Sequence, residues 1–375
     1  MRSNYALARL GDYVKVRRRT VSPRSGVEYR HYSLPAYDAG CMPETVEGSS
    51  ILSSKLAVDD DVILMNKLNV RFKRVWPVRD APENSVASTE FVPLVPSGME
   101  YWYLYYSLLS PRVTSHLTEM CTGTSGSHQR VNVEDLLGLE IPLPNLDIQR
   151  QIASVLQAFD RKIELNNRLN GYLRMLAKLR FEEALQRGSR PVALGDIVVF
   201  EDSKRIPLSN QERSLRQGQY PYYGATSVMD HVDDYLFDDK RILVAEDGSV
   251  TDAEGRPIVQ YVWGKYWVNN HAHVLKAINE WPLEEVMMAL CRTSVQHIVT
   301  GAVQAKISQR NLKSLSLEMP QYRPKEPFLE LFEQYRNLCT ESSELALVRD
   351  ALLPRLMSGE IDVSRVDITQ LSNSH

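Results

Sequence analysis

The strongest constraint on this chain is that it writes one pattern twice. "TGTSGSHQRVNVEDLLGLEIP", from Thr122 to Pro142, is echoed by "TGAVQAKISQRNLKSLSLEMP", from Thr300 to Pro320. Both stretches begin Thr-Gly, end Leu-x-Leu-Glu-apolar-Pro and have the same length. Upstream, "LARLGDYV" (Leu7 to Val14) has its partner in "PVALGDIV" (Pro191 to Val198). Each half therefore opens on Leu-Gly-Asp, proceeds to Thr-Gly, closes on the Leu-x-Leu-Glu-x-Pro signature and enters a long amphipathic segment. Four landmarks in one order describe a duplicated unit. A chain of 375 residues is long enough to give each copy its own core.

The first long segment spans about Asn145 to Arg187. Pro142 and Pro144 stop the preceding strand, because proline donates nothing to a sheet ladder. Asn145 is the expected N-cap, with Asp147 in the first turn where the helix dipole favours negative charge. Ile148, Ile152, Val155, Phe159 and Ile163 recur at spacings of three and four, and Leu169, Leu173, Leu176 and Leu179 are expected to resume that stripe. About 40 helical residues make a rod of roughly 60 Å. The second segment starts near Pro327, with Leu331, Tyr335, Leu338, Ser342, Leu345, Val348 and Leu352 approximating a heptad seam. Pro354 is expected to disrupt its ladder and Gly359 to end it. Each helix has one apolar stripe, so the economical solution is an antiparallel intramolecular coiled coil. Asn166 and Asn170 would be polar groups beside its seam, fixing register.

The expected fold class is α+β: two mixed α/β domains separated by two long helices, with a pseudo-two-fold duplication. The expected boundaries are residues 1–144, a central helix 145–188, a second domain 189–325, a distal helix 326–360 and a loose tail 361–375. "DDVILMNKLNV" and "KRILVAEDGSV" read as buried strands leaving into polar turns, and "YWYLYYSLLS" and "EEVMMALCRTS" as short helices.

At this point the residues resemble a known family. "IPLPNLDIQRQIASVLQAFDRKIELNNRLN" (Ile141 to Asn170) resembles the central conserved region of the specificity (S) subunits of type I restriction–modification systems. "RDALLPRLMSGEIDV" (Arg349 to Val363) resembles their distal conserved region, although "MPQYRPKEPFLELFEQ" lacks the Pro-Leu-Pro and early Gln of the first copy. The resemblance implies two target-recognition domains, each reading one part of an asymmetric, bipartite double-stranded DNA target. It implies helices that act as a ruler and as a platform for two methyltransferase (M) subunits, joined by restriction/translocase (R) subunits. S-adenosylmethionine, ATP and Mg are then expected in those partners, with no cofactor and no metal on this chain and no catalysis by it. A coiled-coil scaffold without sequence-specific DNA binding is the alternative.

A net charge of −3 speaks mildly against a DNA binder, but the distribution of charge matters more than its sum. Residues 1–30 carry eight Arg/Lys against two acids, and "NKLNVRFKRVWPVR" (Asn66 to Arg79) carries five basic residues and no acid. Arg17, Arg18, Arg19, Lys67, Arg71, Lys73 and Arg74 are therefore the candidate DNA contacts of the first domain. In the second, Lys204 and Arg205 of "DSKR" and Tyr222 and Tyr223 of "YPYYGATS" are expected on exposed loops. Gly123 and Gly301 read as turn glycines.

Enzymatic alternatives find little support. No Asp/Asn-Pro-Pro-aromatic loop and no GxxxxGK[ST] phosphate loop occurs. The tripeptides Asp202-Ser203-Lys204 and Asp238-Asp239-Lys240 fit the short nuclease pattern Asp-x-Lys without a partner acid at diagnostic spacing. His271 and His273, at i and i+2 on a strand, would share a face and could clamp a metal, but a strand with one satisfied polar face accounts for them. Cys41, Cys121, Cys291 and Cys339 stand alone. With no signal peptide and no apolar run of roughly 18 residues, they point to a cytoplasmic chain without a membrane partner.

Overall fold

The computed structural model describes residues 4–59, 61–121, 130–278, 281–301, 304–323 and 328–365. The first Thr-Gly pair with Gly123, the expected helix start at Pro327 and the tail beyond residue 365 lie outside the described residues. The chain divides into two compact units, residues 1–167 with 340–375, and residues 168–339.

The first unit is built on a four-stranded antiparallel sheet in the order Val14–Val16, Phe91–Pro96, Val62–Asn66, Val75–Val78. A second sheet of five strands, from Thr20–Val21 to Glu44–Glu47, contains one parallel pair, Glu28–Tyr32 with Ser85–Ala87. The second unit repeats the first sheet strand for strand: Val198–Phe200, Ala272–Ala277, Arg241–Ala245, Val259–Val262. A further sheet of this unit has four strands and again one parallel pair, Gln217–Tyr223 with Lys265–Val268. The two apolar runs expected as buried strands, Val62–Asn66 and Arg241–Ala245, are buried throughout and lie inside these sheets. Helices Tyr101–Leu109 and Leu283–Leu290 stand where the sequence placed them.

The repeated landmarks form one joint in each unit. In the first, Leu7–Arg9 pairs antiparallel with Glu140–Pro142, and Leu10 N donates to Leu139 O at 2.8 Å. A Cβ on Gly11 would stand 2.9 Å from the Leu137 carbonyl oxygen, so only glycine lets that backbone approach. In the second unit Ser189–Ala193 pairs with Ser316–Pro320, and Leu194 N donates to Leu315 O at 2.9 Å. A Cβ on Gly195 would meet the Lys313 carbonyl at 3.1 Å. Leu-Gly-Asp is the short helical turn that ends the ladder in each unit, Leu10–Asp12 and Leu194–Ile197, and its leucine and glycine lie against the segment that carries Leu-x-Leu-Glu-x-Pro.

The central helix is Leu146–Gln186 and the distal helix Phe328–Met357. Asn145 caps the first as expected, its Oδ1 accepting from Ile148 N at 3.0 Å, and Gly188 ends it at φ 147°. Each helix contributes to both units. Within the first, Asp160 meets Arg349 at 2.5 Å while Asn166 meets Glu341 at 2.7 Å, so the numbering rises on one helix as it falls on the other. Ile152, Val155, Leu156 and Phe159 share a core with Leu353, Leu356 and Met357, and Leu345 and Leu352 pack against it. Within the second unit, Asn170 reaches Cys339 at 3.2 Å and the Phe181 and Phe328 rings lie 6.5 Å apart. The helix segments are thus antiparallel in each unit, and Leu173 and Leu331 lie at the second core. Ile163 and Leu338 are half-buried, and half-buried Tyr335 stacks edge-on against Trp263.

Two seam expectations need correction. Leu169, Leu176 and Leu179 are exposed, and the contact line is instead Asn170, Leu173, Ala177 and Phe181. At 100° per residue Leu169, Leu176 and Leu179 sit about 85°, 105° and 165° around the helix from the centre of that line, and small Ala177 fits the line because the partner is close. Val348 is exposed, because Arg349 turns inward to reach Asp160. Pro354 lies inside the distal helix, which continues to Met357 and ends before Gly359 at φ +73°. The acceptor that this proline strands belongs to Asp350, an exposed residue that water can satisfy.

Candidate nucleic-acid interface

The basic stretch of the first unit is the loop between strands Val62–Asn66 and Val75–Val78. It is a built turn. Asn66 Oδ1 accepts from Leu68 N at 2.9 Å, Asn69 adopts φ +53°, and Phe72 N donates back to Asn69 O at 3.0 Å. Lys67 is pinned by its backbone, donating to Glu90 O and accepting from Val131 N, both at 3.0 Å. The Arg71 and Arg74 guanidinium carbons lie 4.9 and 5.0 Å from the exposed Phe72 ring.

The cations here divide into used and available. Arg74 is spent on Asp38, with two hydrogen bonds of 2.7 Å, and that contact holds the Asp38 carboxyl below its ordinary range. Arg17 and Arg19 both grip Asp59, at 2.7 and 2.8 Å. Arg18, Arg71 and Lys73 are exposed and have no carboxylate partner among the described residues. Lys67 is half-buried with its ammonium unpaired there. The surface that can meet phosphates is thus narrower than the sequence expectation.

In the second unit the expected contacts turn out to be structural. "YPYY" is not an exposed loop but the end of strand Gln217–Tyr223. Tyr222 is 1% exposed, its hydroxyl accepting from Leu208 N at 2.9 Å, and Tyr223 is half-buried edge-on to Tyr266. Lys204 pairs with Glu201 at 2.6 Å, which also holds Arg241 at 2.6 Å. Arg205 lies largely inside, bonded to Glu246 at 2.8 Å and to Ala272 O at 2.6 Å. Burial withholds Tyr222 and most of Arg205 from a duplex, whereas Lys204 is exposed and engaged by its ion pair to Glu201.

Arg205 belongs to a network that the sequence hinted at only through "DSKR" and "NNHAHVL". Oxygens of Asp202 and Glu246 and a nitrogen of His273 lie within 4.8 Å of one another, a spacing that could hold a metal. The hydrogen bonding argues otherwise. His273 Nδ1 faces Asp202 Oδ2 at 2.7 Å and Nε2 faces Ile307 O at 2.9 Å, so each ring nitrogen already has a hydrogen-bond partner within the protein. Arg205 and Lys306, the latter at 3.2 Å, supply the cations that Glu246 needs. Burial pushes the Asp202 carboxyl up, but hydrogen bonds from His273 and Val274 N outweigh it and hold the group below its ordinary value. The two histidines do not act together: His271 is exposed and bonds Asp247 at 2.8 Å.

The leucines that lie off the contact line belong to a further surface, which hydrophobic spacing alone does not separate from the seam. Within the second unit, Leu169, Tyr172, Met175, Leu176 and Leu179 form an exposed apolar strip on the central helix. Among the described residues no helix is long and apolar enough to cross a membrane, and none of the four cysteines is joined in a disulfide.

A family model described as "Type I restriction modification DNA specificity domain" matches residues 3–174 and 187–346, one match in each half. The chain belongs to this family. A putative type I restriction enzyme specificity subunit of Haemophilus influenzae is 27% identical over 43% of this chain and 41% of its own length. A putative type I specificity subunit of Mycoplasma genitalium is 31% identical over 35% of this chain and 37% of its own. The chain thus aligns with about two fifths of the length of these two relatives. The specificity subunit of type I restriction enzyme MjaIX of Methanocaldococcus jannaschii is 23% identical over 72% of this chain and 71% of its own. The fold is that of the type I restriction–modification S subunit from M. genitalium, whose crystal structure matches with a TM-score of 0.56 at 18% identity, covering 95% of this chain and 96% of that one. Family membership accounts for the duplicated plan of sheet, ladder and long helix.

Proposed function

We propose that this chain is the DNA sequence-specificity subunit of a type I restriction–modification complex. Each unit reads one part of an asymmetric bipartite target, and the two long helices set the unread spacer between the parts. The observation that carries this reading is the family match in both halves, coinciding with two units of the same sheet order. Major-groove readers commonly occupy two half-sites about one helical turn, roughly 34 Å, apart, which suits a duplicated unit. The loops of the two units differ in sequence and charge, which supports an asymmetric target.

The chain is the recognition component. Methyl transfer with S-adenosylmethionine, and ATP- and Mg-dependent translocation and cleavage, belong to two M subunits and to R subunits. The exposed apolar strip from Leu169 to Leu179 is the surface offered to an M subunit, since apolar area of this kind on a helix is stabilised by a partner. In the first unit Lys67, Arg71, Lys73 and Arg18 supply the phosphate and base contacts.

Mapping methylated adenines in a host with and without this gene tests the reading. Loss of one bipartite asymmetric methylation motif is expected on deletion. An unchanged methylome, with an active M subunit present, refutes it.

A further inference from the structure

The two units place their unspent cations on different elements of the same sheet edge. In the first unit the loop after strand Val62–Asn66 carries Lys67, Arg71, Lys73 and Arg74 and no acid. The loop that follows the equivalent strand Arg241–Ala245 carries Glu246, Asp247, Asp252 and Glu254 against one arginine, Arg256. A phosphate backbone meeting this second loop as it meets the first would face like charge.

The equivalence of the two edges is fixed by hydrogen bonds. Lys67 O accepts from Val131 N at 3.0 Å, and Leu68 bridges to Arg130. In the second unit Glu246 O accepts from Ile307 N at 2.9 Å, and Asp247 bridges to Lys306. In each unit the segment before the Leu-x-Leu-Glu-x-Pro signature therefore lies against the root of the loop. Its charge is inverted too. The short helix Val133–Gly138 brings Glu134 and Asp135 to the first edge, whereas Gln309–Lys313 brings Arg310 and Lys313 to the second. Lys306 is drawn to Glu246, but Arg310 and Lys313 are exposed and have no carboxylate partner among the described residues. Ser308 caps this helix by accepting from Asn311 N at 3.2 Å, and Asn311 Nδ2 ties it to Ile298 O at 3.1 Å, so the two cations stand on a fixed base.

We propose that the second unit grips the DNA backbone with Arg310 and Lys313, on the helix beside the loop, where the first unit uses the loop itself. This rests on the DNA-recognition reading above. Both residues act on phosphate and carry no sequence information of their own.

The test uses the complex reconstituted with its M subunits, measuring the affinity for a target duplex and for an unrelated duplex as salt is varied. Each phosphate contact contributes about 0.9 to the slope of log affinity against log salt. Arg310→Gln with Lys313→Gln should lower that slope by about two for both duplexes, leave the methylated sequence unchanged, and be rescued by Arg310→Lys with Lys313→Arg. Arg71→Gln with Lys73→Gln should do the same through the first unit. A slope unmoved by the Arg310/Lys313 pair, while the Arg71/Lys73 pair lowers it, overturns the assignment and leaves DNA recognition standing. Failure of the unaltered complex to bind either duplex refutes the DNA reading itself.

Discussion

Glu285 offers a sharp test of how the second unit is held together. It lies on helix Leu283–Leu290, 2% exposed, and its Oε2 has no hydrogen-bond partner among the described residues. Its neighbour Glu284 is satisfied by Lys240 at 2.7 Å and the Tyr261 hydroxyl at 2.6 Å. Burial raises the Glu285 carboxyl from an ordinary 4.5 to about 7, with Arg323 opposing. The folded chain therefore holds this proton more tightly than the unfolded chain. Below 4.5 the group is protonated in both states and costs nothing. As pH rises toward 7 the unfolded state alone is free to ionise, so stability falls, and above 7 the loss is complete. At about 1.4 kcal/mol per pKa unit, the full loss is about 3 kcal/mol. Glu285→Gln keeps the shape and removes the titration. Urea unfolding of the whole chain, followed by tryptophan fluorescence, should show the variant gaining on the unaltered protein by about 2–3 kcal/mol between pH 5 and pH 8. A stability difference that stays constant across that range refutes the reasoning.

Three other outcomes are expected. Arg205→Ala strips Glu246 and Asp202 of their buried cation and should destabilise the second unit by about 3–5 kcal/mol, read by thermal unfolding; an unchanged midpoint would show that the network bears no weight. Gly11→Ala forces a methyl against the Leu137 carbonyl and should cost about 1–3 kcal/mol, while Gly138→Ala, which meets nothing within 4 Å, should not. Inserting four residues, about one helical turn, after Arg168 should change the spacer of the methylated target and leave both half-sequences intact; altered half-sequences would contradict the division of labour between domains and helices.

What was legible in the sequence was local or periodic. The strands Val62–Asn66 and Arg241–Ala245, the helix capped by Asn145, and the twofold order of landmarks all follow from spacing and residue type within short windows. The family followed from the central motif for the same reason. Periodicity also misled where several residues competed for one stripe: leucines outrank alanine in any hydrophobic pattern, yet Ala177 holds the contact line while Leu176 and Leu179 face outward.

The sequence by itself determined that this protein is a duplicated pair of strand-rich domains, each leading into a long amphipathic helix. Only the tertiary structure decided which charges remain for a partner. Arg17 meets Asp59, Arg74 meets Asp38 and Arg205 meets Glu246 across some 36 to 42 residues of chain. Backbone propensity acts over a few neighbouring residues, so it can be read along the chain. An ion pair forms only where folding brings distant side chains within a few ångströms, and no local pattern records which cations have thereby been spent.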